Sequence, residues 1–242
     1  MAASLGWGAL AASSLVIGAL LALARRWPGR QVGLVLAFGA GALISAVSFE
    51  LAQEGVAIGD PGSTALGLAA GALTYYVLDG LLARGSATGR GRSGRSTGSS
   101  PGPALALGAF LDGIPEQLVL VIGIATGKGV SVSLLVAIFV SNLPEAIGSA
   151  TEMRGVGTGE RVILRLWFVV AAICVLATVV GAAAADAASG NLRAGIDGFA
   201  AGALLVMLID SMIPEATKQS GRVAGLVTTL GFALAAGLSS VS

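Results

Sequence analysis

The chain has no histidine and one cysteine, Cys174, among 242 residues. A lone thiol excludes an internal disulfide framework and a cysteine-rich metal site. Without imidazole there is no ready general base near neutral pH. Charge is also scarce, with 14 basic and 13 acidic residues making up 11% of the chain, against roughly a quarter in soluble domains. A balance so near neutrality gives no reason to expect a nucleic-acid partner. Aromatic residues are few, at 5%.

What fills the space is apolar and small. Hydrophobic residues are 55% of the chain, and 37 glycines suit helices that approach closely in lipid. A helix needs about 20 mostly apolar residues to cross the hydrocarbon core. Eight segments qualify, at 5–24, 31–53, 63–83, 103–125, 130–152, 162–185, 194–214 and 223–242. The expected fold is thus an all-α membrane protein of eight transmembrane helices in a single domain, 1–242. The first segment has no basic residues before its apolar run, so it reads as a membrane helix and not as a cleaved signal. Residues 84–102, rich in Gly, Ser and Arg, read as a flexible loop.

Basic residues set the expected orientation. Arg25, Arg26, Arg30, Arg84, Arg90, Arg92, Arg95, Arg154, Arg161, Arg165, Lys218 and Arg222 all fall in odd-numbered connections. Only Lys128 and Arg193 fall on the other side. The positive-inside rule then makes loop 84–102 cytoplasmic and puts both termini outside.

Two internal matches stand out. Without gaps, FGAGALISAVSFELAQE of the second span aligns with FAAGALLVMLIDSMIPE of the seventh, setting Phe38 on Phe199, Gly41 on Gly202 and Glu54 on Glu215. The fourth and fifth spans share LDGIPE and VSNLPE. Similar segments in spans of opposite direction are the pattern of inverted repeats, here arranged 3+2+3.

The Pro-Glu motifs lie near the middle of their spans. Each proline removes one helical hydrogen bond, freeing the carbonyls of Leu111 and Val140. Asp112 and Glu116 share a helix face, as do Ser141 and Glu145, and Asn142 is three residues from Glu145. Facing helices would bring Asp112, Glu116, Asn142 and Glu145 to one point. Carboxylates at that depth cannot all stay ionised without compensation. They serve either as protonated packing contacts or as a cation site of oxygen ligands. Glu50, Asp79 and Asp210 are further acids inside apolar spans, with Glu50 and Asp210 as accessory candidates.

The order of these motifs resembles the ZIP (zinc/iron-regulated-type) divalent metal transporters. The resemblance rests on the Pro-Glu motifs of spans four and five, VSFELAQE in the second, LDGLL in the third and IDSMIPEA in the seventh. It implies transport of zinc, iron or manganese into the cytoplasm across the cell membrane, a homodimer, and no resident cofactor. It also implies that spans one, four, five and six carry the metal past a scaffold of two, three, seven and eight. Where the family typically has histidine, this chain has Asp112 and Ser141, so its ligand set is harder and admits iron or manganese beside zinc. The metal ligands implied are Asp112, Glu116, Ser141, Asn142 and Glu145. Two other readings stay open: a ZIP-like protein that binds or senses metal without transport, and an intramembrane hydrolase. The chain is not expected to be an enzyme, since it has neither histidine nor a recognisable acid-protease context.

Overall fold

A computed structural model describes residues 2–88, 113, 116, 117, 120, 132–186 and 190–240. Among them there is no strand. Seven helices are traced: α1 (Ala2–Ala24), α2 (Gly29–Ile58), α3 (Pro61–Thr88), α4 (Val132–Gly155), α5 (Glu160–Asp186), α6 (Gly190–Ser220) and α7 (Val223–Ser239). Six of these, α1 to α6, are long and apolar enough to cross a membrane, and α7 is a shorter apolar helix of 17 residues. Of the expected fourth span only Gly113, Glu116, Gln117 and Leu120 are described, and all four are helical.

Helix ends follow local chemistry. Pro28 holds extended geometry (φ −62°, ψ 130°) before α2. Pro61 opens α3, where a proline lacks no bond it would otherwise make. The Asp60 carboxylate accepts from the Ser63 amide at 3.2 Å, capping the same turn. The Asp60 amide in turn donates to Asn191 Oδ1 at 3.2 Å, tying the α2–α3 turn to the start of α6. Gly221 reverses the chain between α6 and α7 at φ 64°, a conformation that favours glycine. One boundary differs from the sequence expectation. Residues 84–88 of the expected loop are helical, because α3 continues through Arg84 to Thr88. Loop chemistry (Gly85, Ser86) is tolerated here in the last helical turns; residues 89–102 lie outside the described residues.

α1 packs against α4 and α5, α2 touches α4, α3 lies along α6, and α7 lies along α2. Alanine and glycine form much of the interior, with Ala11, Ala19, Ala37, Ala40, Ala137, Ala200 and Ala201 fully buried. Many large apolar side chains point outward: Leu66 and Leu226 are each 75% exposed and Val180 68%. Such broad apolar faces are costly in water and suit a lipid surround.

Two details relate α2 to α6. Each contains a π-helical turn, Val47–Ala52 in α2 and Leu208–Met212 in α6. Both begin at the same place in the ungapped match, since Val47 is to Leu208 as Phe38 is to Phe199. Proline does not explain both, because Pro214 of α6 is matched by Gln53 in α2. Close approaches are shared as well. A Cβ added to Gly41 would collide with the Thr228 carbonyl and, 2.8 Å away, the Phe232 nitrogen; one on Gly202 would collide with the Leu68 carbonyl and, at 3.0 Å, the Ala72 nitrogen. Reciprocally, Gly231 seats the Phe38 carbonyl and Gly71 seats that of Phe199. The α2–α7 and α6–α3 contacts are therefore built alike.

Candidate functional site

Glu116 is completely buried. Its Oε1 accepts from the Ser141 hydroxyl at 2.9 Å, which joins the residue after the first motif's proline to the second motif. The same hydroxyl is 2.9 Å from the Ile138 carbonyl one turn back in α4. That backbone contact fixes the serine rotamer and, through it, the Glu116 carboxyl. α4 continues unbroken across Pro144.

Ser141 is placed by α2. A Cβ on Gly39 would lie 2.9 Å from Ser141 Cα and 3.1 Å from its nitrogen. Only a residue without a side chain lets α2 come this close to the site. On the other side of Glu116, the next residue, Gln117, is held by α5. Thr178 donates its hydroxyl to Gln117 Oε1, with both side chains buried. Gly8 of α1 covers that threonine, its Cβ position lying 2.9 Å from Thr178 Oγ1. α4 and α5 thus hold the Glu116–Gln117 turn, backed by α2 and α1 respectively.

Asn142 is buried beside Ser141 in the chain, and its Nδ2 has no hydrogen-bond partner among the described residues. Unpartnered buried amides are uncommon, because the lost hydration costs about 1–3 kcal/mol. Glu145, half-buried one turn beyond Ser141, lines a cavity of about 580 Å³. The cavity is walled by α2, α4 and α6, and Glu152, Asp210 and Glu215 also border it. Asp210 lies within the π-helical turn of α6 and is exposed, whereas Glu50 lies half-buried in the π-helical turn of α2.

The structure therefore joins Glu116 to Ser141 and puts Glu145 with Asp210 around one cavity. Asp112 and Pro115 lie outside the described residues. Among the described residues no group of three or more Asp, Glu or Cys side chains is arranged to hold a metal ion. What the arrangement offers chemically is a buried carboxyl, a hydroxyl and an amide in contact or adjacent, with further carboxylates bordering a cavity. All can offer oxygen donors, which suit a hard or borderline cation. Sequence reasoning passed over Gln117 and Thr178. Their signal was polarity inside apolar runs, Gln117 directly after Glu116 and Thr178 in the otherwise featureless CVLATVVG.

Compared with known proteins, the chain matches no family model and no curated protein.

Proposed function

We propose that this protein is a ZIP-like transporter that moves a divalent cation, zinc, iron or manganese, across the cell membrane into the cytoplasm. The observation that carries the reading is the contact between the two Pro-Glu motifs, Ser141 to a fully buried Glu116. A carboxyl at zero exposure inside an apolar helix bundle is expensive unless it has a task. In this reading Glu116 and Glu145 are the central ligands, Asp112, Ser141 and Asn142 complete the oxygen-rich set, and Glu50 and Asp210 are accessory. The metal is cargo and not a resident cofactor.

Three features support the wider architecture of eight spans in a 3+2+3 inverted repeat. The π-helical turns begin at matched positions, the glycine contacts of α2–α7 and α6–α3 are built alike, and α7 lies where an eighth span is expected. The grouping also fits two moving parts, because α1 packs on α4 and α5 while α3–α6 and α2–α7 form close pairs. The cavity against Glu145 gives the cation a route to one face, the cytoplasmic one if both termini are outside. The unit in the membrane is a homodimer.

Uptake of zinc, iron and manganese into proteoliposomes tests the reading. Cation-dependent flux supports transport. Binding without flux would favour a sensing protein instead, and absence of both would defeat the metal assignment.

A further inference from the structure

Asp197 lies about two turns into α6, roughly 10 Å from its first residue at 1.5 Å per residue. It is fully buried, and neither of its carboxyl oxygens has a hydrogen-bond partner among the described residues. Thr64, in the first turn of α3, is 4% exposed, and its hydroxyl is likewise unpartnered. Both side chains border the same spot. The Cβ position of Gly55 in α2 is 3.1 Å from Thr64 Cγ2, 3.2 Å from Thr64 Oγ1 and 3.3 Å from Asp197 Cβ. Glu54, the residue before that glycine, and Arg193, one turn before Asp197, both act electrostatically on the Asp197 carboxyl.

We propose that Asp197 and Thr64 form a binding site for a monovalent metal cation of sodium size, with Glu54 and Arg193 setting its charge balance, separate from the site at Glu116. Charge selects the valence. Two carboxylates against one guanidinium leave a single negative charge, which one monovalent cation neutralises and a divalent cation would overshoot. The orphan atoms select a metal ion over a proton. A proton on Asp197 would create an O–H that itself needs an acceptor and would leave the second oxygen and the Thr64 hydroxyl as they are. A metal ion satisfies all three oxygens together, and hard oxygen donors are what such ions take. Size follows from packing. A Cβ on Gly198 would collide with the Thr64 carbonyl, so α3 and α6 meet backbone to backbone beside the site and only a small ion would fit between them. The site joins α2, α3 and α6, so an ion in it would lock their shared end.

The test is thermal unfolding of the purified full chain in NaCl, KCl or N-methylglucamine chloride at equal ionic strength. Sodium should raise Tm in a saturable way and potassium should do so at least tenfold less effectively. Asp197→Asn should abolish the sodium response, and Thr64→Val should raise the half-saturating concentration at least tenfold. Glu116→Gln should respond like the unaltered protein, which separates this site from the proposed transport site. A Tm indifferent to sodium, as an ordered water or a bound proton would give, overturns the proposal. So does an undiminished sodium response in Asp197→Asn. Should Asp197→Asn not fold, an undiminished response in Thr64→Val overturns it equally.

Discussion

Ser141 and Gly39 face each other so closely that the glycine's missing side chain is what lets the serine reach Glu116. The serine nitrogen and Cα lie 3.1 and 2.9 Å from where a Cβ would be, and both are backbone atoms that cannot rotate away. Gly39→Ala must then push α2 and α4 apart by a few tenths of an ångström. We expect it to destabilise the protein by about 1–3 kcal/mol, the usual cost of overpacking. Metal uptake should fall with it, and Ser141→Ala, which leaves a buried Glu116 oxygen without this donor but does not move the helices, should cost about 1–3 kcal/mol as well. Tm and uptake measured on both variants decide the matter; unchanged Tm in Gly39→Ala would refute the close contact.

Glu116 and Glu145 carry the proposed transport. Replacing either with alanine should abolish cation flux in proteoliposomes while the protein still inserts and purifies. Full flux in both variants would remove the assignment.

Asp112→His should move preference toward zinc over manganese, because imidazole favours the softer ion. Competition uptake with the two metals reads this directly. An unchanged ratio would mean that Asp112 is not a ligand.

Arg154 offers a contrast between two interactions of one side chain. Its Nη1 donates to the carbonyls of Leu23 at 3.1 Å and Ala22 at 3.4 Å, closing the last turn of α1 against α4. Its Nη2 stands 3.8 Å from Glu160, with both side chains substantially exposed. Exposed ion pairs contribute about 0–1 kcal/mol, whereas hydrogen bonds from a charged donor contribute about 1.5–3 kcal/mol. Arg154→Ala should therefore lower Tm clearly and Glu160→Gln hardly at all. Equal losses in the two variants would reverse that ranking.

Cation binding should weaken as the medium is acidified, since carboxylate ligands must release protons to bind metal. Isothermal titration between about pH 5 and 8 covers the range in which crowded carboxylates titrate. A flat profile would mean that no proton is displaced.

The span positions were legible because hydropathy is a summed property. The expected 31–53, 162–185 and 194–214 fall inside α2, α5 and α6. Their ends were less so, since Gly85 and Ser86 read as loop residues but continue α3. The π-helical turns left no sign, because residues as different as Gln53 and Pro214 follow them. At the site, the Pro-Glu motifs marked Glu116, Ser141 and Glu145, and Ser141 does meet Glu116. Spacing along one helix says nothing about which residues of other helices complete the surroundings. Thr178 and Gly39 are 61 and 77 positions away from Gln117 and Glu116 in the chain, and only packing brings them near. Asp197 was overlooked because it follows Arg193 near the start of a span, where a charged pair looks like an ordinary boundary.

The crossed glycine seats have a consequence for how this sequence can change over generations. Gly41 and Gly231 each receive a carbonyl from the other's helix, as do Gly202 and Gly71. A larger residue at any of the four cannot be accommodated by a smaller one opposite, because the opposing atom is backbone and has no size to give up. Each position is then closed to drift on its own account, and the two helix pairs can diverge in almost everything except the places where they touch.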